Sequence, residues 1–219
     1  MSFQMRCDEI VDQLKKIRII PVLTLDKVDD GLKMCELLQE CGLPAAEITF
    51  RTAIAAQLIR EASRHFPDLL LGAGTVLCQR DLLHAFDAGA RFAVAPGFNP
   101  LMVKSAVDSG IPFIPGINSA SGIEQAAELG CRLFKFFPAE ASGGVKMLRA
   151  IAAPYRHCGY FYLPTGGINA ANAADYLAIK DVAAVGGTWL ADVNAVAAGD
   201  WEKIRSGIVE AVKIAGNAK

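Results

Sequence analysis

Phe134-Lys135-Phe136-Phe137-Pro138 sets a single lysine in a run of apolar and aromatic residues that ends at a proline. The run is short and does not alternate between polar and apolar. That is the pattern of a parallel strand buried on both faces. Working outward, similar runs recur at Arg18–Thr24, Ala45–Phe50, Leu69–Leu71, Phe92–Ala95, Pro112–Pro115, Leu133–Phe137, Tyr160–Leu163 and Val182–Gly186. Between them lie helical patterns, such as Met34, Leu37, Leu38 and Cys41, then Ala55, Leu58, Ile59 and Ala62. Gly89, Gly110 and Gly130 each stop a helix just before a strand. Eight strands that each lead into a helix predict an α/β fold closed as a (β/α)₈ TIM barrel, with a short N-terminal helix over Asp8–Ile17. An open doubly wound sheet is the other candidate. It calls for a glycine-rich loop after the first strand, and Thr24-Leu-Asp-Lys27 has no glycine.

The chain has 219 residues, 53% of them hydrophobic and 21% charged, with a formal net charge of −1. That composition supports a large core and excludes a disordered chain. No linker or shift in composition divides residues 1–219, so one domain is expected. There is no basic stripe for a nucleic acid and no apolar run long enough for a membrane span. Arg6, Asp8, Glu9 and Asp12 break any secretory pattern at the N-terminus. Six cysteines without a C-x-x-C pair, and three scattered histidines, predict reduced buried thiols, a cytoplasmic protein and no metal site.

A buried ammonium loses hydration, which favours the neutral amine. A neutral amine attacks carbonyl carbons and forms Schiff bases. The competing reading is a lysine at a strand end that reaches back to water. The other strand ends decide between them, because in such a barrel the active site forms at the carboxyl ends of the strands. Glu47, Thr49 and Arg51 share one face of the second strand. If that face is interior, a carboxylate and a guanidinium there must be paired or used. Gly72-Ala-Gly-Thr75 ends the third strand, with glycines expected to let a ligand approach the backbone. Ala95-Pro96-Gly97 ends the fourth. Pro164-Thr-Gly-Gly-Ile168 and Val185-Gly-Gly-Thr188 end the last two, each expected to lead directly into a helix whose N-terminus helps bind a phosphate. Together these ends suggest a Schiff-base enzyme for a phosphorylated keto acid.

Five short motifs in this order resemble one family: Glu47-Ile-Thr-Phe-Arg51-Thr, Gly72-Ala-Gly-Thr-Val-Leu77, Pro115-Gly-Ile, Phe134-Lys-Phe-Phe-Pro-Ala-Glu140 and Pro164-Thr-Gly-Gly-Ile168. The chain, from about Ile19 to its last helix, resembles the 2-keto-3-deoxy-6-phosphogluconate (KDPG) and 4-hydroxy-2-oxoglutarate (KHG) aldolases. The resemblance implies a class I aldolase of the Entner–Doudoroff pathway, a homotrimer that needs no cofactor beyond a covalent imine on Lys135. It implies Glu47 as general acid/base, and Arg51 and Thr75 as holders of the pyruvate carboxylate. Pro96 and Phe137 would line the pyruvate pocket. Thr165, Gly166, Gly167, Gly186, Gly187 and Thr188 would bind the phosphate. Thr188 stands where many members have serine, and Tyr160-Phe-Tyr-Leu163 also departs from the common form. Rival readings are KHG as the main substrate, a sugar-phosphate isomerase without an imine, and a non-catalytic binding protein.

Overall fold

The computed structural model describes residues 2–217. The elements run α1 Phe3–Ile17, β1 Ile19–Leu23, α2 Val28–Glu40, β2 Ala45–Thr49, α3 Ala55–His65, β3 Leu70–Gly74, α4 Gln79–Asp87, β4 Phe92–Val94, α5 Pro100–Ser109 and β5 Phe113–Ile114. They continue β6 Gly116–Ile117, α6 Ala120–Glu128, β7 Leu133–Phe136, α7 Gly144–Ala152, a 3₁₀ turn Ala153–Cys158, β8 Phe161–Pro164, α8 Ala173–Leu177, β9 Val185–Gly187, α9 Val193–Ala198 and α10 Trp201–Asn217. This is an α/β fold. Six parallel strands in the order β5-β4-β3-β2-β1-β9 form a sheet that curls as a half-barrel, and β6-β7-β8 form a second parallel sheet. The first five strands neighbour one another in chain order, and the last lies beside the first. Isolated bridges Tyr162↔Val182 and Thr165↔Gly186 join the β8 side to the β9 side.

Side chains alternate across a strand, and here the two faces bury different things. One face carries Ile19, Leu23, Ala46, Ile48, Leu71, Phe134 and Phe136 into the large core under the helices. The other carries Ile20, Ala45, Leu70, Phe92, Leu133 and Leu163 into a separate inner core. Helix α1 closes that inner core with Ile10, Val11 and Leu14. Each fully buried leucine, isoleucine, valine or phenylalanine side chain among them contributes roughly 1.5–3 kcal/mol of transfer free energy. The inner core sits toward the amino-terminal ends of the strands, so α1 seals one end of the sheet.

Several details differ from the sequence expectation. Helix α1 starts five residues earlier than Asp8, because Ser2 caps it by accepting a hydrogen bond from the Met5 N–H. Those first turns carry no apolar stripe that would mark them in the sequence. The strand expected over Pro112–Pro115 forms only at Phe113–Ile114 as β5, and a further strand, β6, follows after Pro115. Proline has no N–H to give to a ladder. The helix expected directly after Thr188 is α9, which begins only at Val193. Its short span is held by Asp192, which accepts from the Ala195 N–H, and by Gly199 in the left-handed region. The expected stops at Gly89, Gly110 and Gly130 are present, with φ of 110°, 66° and 90°. Of the six free cysteines only Cys35 and Cys131 are buried, and the other four are partly exposed.

Candidate active site

Beyond the inner core, the same strand face becomes polar. Ala45 is followed two residues on by Glu47 and then Thr49, Leu133 by Lys135 and Phe137, and Leu163 by Thr165. Among the described residues, Glu47, Thr49, Lys135 and Thr165 are the buried polar or charged side chains, and all four line one cavity of about 370 Å³. Burying such groups is costly unless they are paired or used.

Lys135 Nζ donates to Glu47 Oε1 at 3.2 Å, with both side chains almost fully buried. Glu47 Oε2 is buried and has no protein partner among the described residues, so one carboxylate oxygen keeps its lone pairs free. The Lys135 ammonium also lies 5.5 Å from the centroid of the Phe137 ring, within cation–π range. The local packing explains how Glu47 fits. Gly74 lies across from Thr49 on the neighbouring strand, and a Cβ on it would come 2.3 Å from Glu47 Oε1. Gly72 likewise makes room for the Phe92 ring, which a Cβ would meet at 2.3 Å. The expectation that Gly72 and Gly74 open the backbone to a ligand is therefore corrected: they make room for protein side chains.

Thr75 follows at φ 58°. A β-branched residue there is strained by about 1–3 kcal/mol. The backbone on either side holds it, since Phe50 N–H donates to Gly74 O at 2.7 Å and Val76 N–H to Val94 O at 3.1 Å. Arg51 lies in the turn after β2 and donates to Thr24 Oγ1 at 2.5 Å. Among the described residues Arg51 forms no ion pair, so its charge is available inside the cavity. Pro96 and Phe137 complete this side of the lining.

The opposite side is built from Thr165, Gly166, Gly167, Gly187 and Thr188. Gly166 and Gly167 have φ of 101° and 78°, and their N–H groups have no hydrogen-bond partner within the described protein. Successive N–H groups in such a turn form an anion-binding concavity. The expected helix N-terminus is not directly at the turn. Helix α8 begins only at Ala173, because Asn169 and Asn172 close a separate turn first, and α9 begins only at Val193. Asn169 N–H donates to Asn172 Oδ1 at 2.9 Å, and the Asn172 amide donates to Gly167 O at 3.1 Å. Gly186 is the one expected site residue outside the cavity wall. It sits behind Thr165, whose Oγ1 a Cβ at Gly186 would approach to 2.6 Å.

The cavity also takes in Val22, Asn169 and Trp189, which the sequence reading did not place there. Trp189 fills the space left by Gly187, where a Cβ would lie 2.0 Å from the indole. A bulky aromatic two residues after a Gly-Gly pair was the available signal. Behind the loop, Glu140 hydrogen-bonds the Tyr176 hydroxyl. Burial, and then that carboxylate, push the Tyr176 phenol well above its ordinary range. Among the described residues no group of three His, Cys, Asp or Glu converges as a metal site.

Comparison with known proteins points the same way. The family model described as KDPG and KHG aldolase matches residues 10–206. The 2-dehydro-3-deoxy-phosphogluconate aldolase of Haemophilus influenzae is 42% identical over 206 residues, covering 94% of this chain and 96% of that protein. The KHG/KDPG aldolase of Escherichia coli K12 is 41% identical over 89% of this chain and 91% of its own length. A crystal structure of KDPG aldolase from Legionella pneumophila, with pyruvate captured as a covalent carbinolamine, matches with a TM-score of 0.83 and 36% identity, covering 88% of this chain and 92% of that one.

Proposed function

Because the chain belongs to the KDPG and KHG aldolase family, we propose that it is a class I aldolase that cleaves 2-dehydro-3-deoxy-6-phosphogluconate to pyruvate and glyceraldehyde 3-phosphate. The observation that carries this reading is the buried contact between Lys135 Nζ and Glu47 Oε1, 3.2 Å apart, in the cavity at the carboxyl ends of the strands. The fold reading is a closed (β/α)₈ barrel of one domain. It is supported by the bridges Tyr162↔Val182 and Thr165↔Gly186 at one seam and by the single residue Pro115 between β5 and β6 at the other.

The chemistry follows from that placement. A proton passes from Lys135 to Glu47 along their hydrogen bond, leaving a neutral amine. The amine nitrogen adds to the C2 carbonyl, Glu47 returns its proton to the departing hydroxyl, and loss of water leaves a protonated imine on Lys135 and a free Glu47 carboxylate. Glu47 then takes the proton of the C4 hydroxyl. The C3–C4 bond breaks, its electron pair moves into the imine to form an enamine, and C4 becomes the aldehyde of glyceraldehyde 3-phosphate. Protonation of the enamine at C3 makes the methyl group of pyruvate, and water hydrolyses the imine to free Lys135. The imine is the electron sink, so the reaction draws on no separate cofactor. Excluding water from the reacting atoms strengthens each of these electrostatic interactions.

Arg51 and Thr75 receive the carboxylate, and Pro96 and Phe137 shape the pocket around the three-carbon fragment. The N–H groups of Gly166 and Gly167, with Thr165, Gly187 and Thr188, receive the phosphate. Gly186 supports Thr165 from behind. The protein is read as a cytoplasmic homotrimer. Burial pushes the thiols of Cys35 and Cys131 up to about 12, which keeps them protonated. Exposed Leu77 borders a hollow lined by Phe98 and Met102, a surface suited to a neighbouring subunit. No helix of the described residues is long and apolar enough to cross a membrane.

The test is a coupled assay on the phosphorylated keto acid and on 4-hydroxy-2-oxoglutarate. Equal amounts of pyruvate and glyceraldehyde 3-phosphate are expected from the first, with clearly lower efficiency on the second. A higher efficiency on the phosphate-free substrate would transfer the assignment to it. No cleavage of either would reject the aldolase reading.

A further inference from the structure

We propose that Thr24 is a positioning residue that orients Arg51 toward the substrate carboxylate. The proposal rests on the reading of Arg51 as the carboxylate's partner. Ile20, Val22 and Thr24 are spaced two apart along β1 and its end. Ile20 belongs to the inner core and Val22 lines the cavity, so the alternation carries Thr24 to the rim of the same face. There its Oγ1 accepts a hydrogen bond from Arg51 Nη2 at 2.5 Å and lies 3.0 Å from the Thr49 Oγ1. Thr49 is buried at the end of β2, directly below Arg51 in the chain. β1 and β2 are paired neighbours through Val22↔Glu47. The two hydroxyls thus link the guanidinium to two adjacent strand ends.

This matters because an arginine side chain is long and loses much rotamer freedom when it is ordered. Among the described residues, the bond to Thr24 is the hydrogen bond Arg51 makes. It uses one of the five N–H donors of the guanidinium. The others remain for a planar, two-pronged contact with a carboxylate. Thr24 offers an uncharged acceptor, so it fixes the guanidinium without neutralising it. A carboxylate at the same place would compete with the substrate.

The test compares wild-type protein with Thr24→Val, Thr24→Ser, Arg51→Ala and the double variant Thr24→Val/Arg51→Ala. Two quantities are read: KM and kcat for cleavage, and the pyruvate concentration giving half-maximal borohydride trapping. Thr24→Val keeps the shape and removes the acceptor. It is expected to raise both KM and the half-trapping concentration about tenfold, the loss of one hydrogen bond to a charged group, while kcat changes little. Thr24→Ser should restore most of the loss. In the Arg51→Ala background, Thr24→Val should add nothing, because the two residues act as one unit. Circular dichroism checks folding, and Thr24→Ala takes the place of the valine variant if that one unfolds.

An unchanged KM in Thr24→Val, with a raised KM in Arg51→Ala, would overturn the role of Thr24 and leave that of Arg51 standing. The same loss from Thr24→Val with and without Arg51 would overturn it too. An unchanged KM in Arg51→Ala would reject the carboxylate reading of Arg51 and the proposal with it.

Discussion

The two ends of the inner strand face are built from the same strands to opposite purposes. At the amino-terminal end, Ile20, Ala45, Leu70, Leu133 and Leu163 meet Ile10, Val11 and Leu14 of α1, and the end is sealed and apolar. Two residues further along, Glu47, Lys135 and Thr165 replace them, and the end opens into a cavity. A period of two along each strand lets one step change the environment from apolar core to polar cleft. Stability and chemistry are thereby separated along one face. The sealed end contributes burial that offsets the cost of burying an amine and a carboxylate at the other end.

That separation makes graded predictions. Lys135→Ala should have the largest effect on turnover, a loss of at least about 10⁴-fold, since it removes the nucleophile of the proposed mechanism. Steady-state assay of the purified variant measures it, and retention of appreciable activity would move the imine to another residue. Glu47→Gln should keep the fold and lower kcat by about 10²–10⁴-fold, the usual contribution of a positioned acid/base group. Near wild-type kcat in that variant would remove Glu47 from the mechanism.

Gly74→Ala is a sharper probe, because it touches the Lys135–Glu47 pair only by displacement. Its new Cβ would sit 2.3 Å from Glu47 Oε1. A shift of about an ångström in a reacting group can cost about 10²-fold, and that is the loss of kcat expected. An alanine that leaves kcat intact would mean that the carboxylate has room to spare. At the sealed end, Leu14→Ala should destabilise the fold by about 2–5 kcal/mol and leave kcat and KM of the folded protein unchanged. Denaturant unfolding and steady-state kinetics check the two halves of that statement. If Leu14→Ala depressed kcat as much as Gly74→Ala, the two ends would be coupled and the comparison would fail.

Much of this was legible in the sequence, for identifiable reasons. Non-alternating runs such as Leu133–Phe136 gave away parallel strands, and Gly89, Gly110 and Gly130 marked helix ends because each takes a positive φ. Lysine and glutamate inside apolar strands stood out because so few chemical reasons place them there. What the sequence could not reveal was which atoms occupy the space beside a glycine. Gly72 and Gly74 look alike in the chain, yet one faces the Phe92 ring and the other the Glu47 carboxylate. The same holds at Gly187, filled by Trp189. The helix expected directly after Gly166-Gly167 was displaced by the turn that Asn169 and Asn172 close, a choice made by two side-chain hydrogen bonds. Thr24 was passed over because its partner Arg51 is 27 residues away in the chain.

The central claim is that Lys135 forms the imine in the open end of this fold. It is tested most directly by incubating the protein with pyruvate and borohydride, then locating the adduct by peptide mass spectrometry. The account predicts a reduced pyruvyl adduct on Lys135, and none when that lysine is replaced by alanine. An adduct on a different lysine, or no adduct in protein that cleaves substrate, would contradict it.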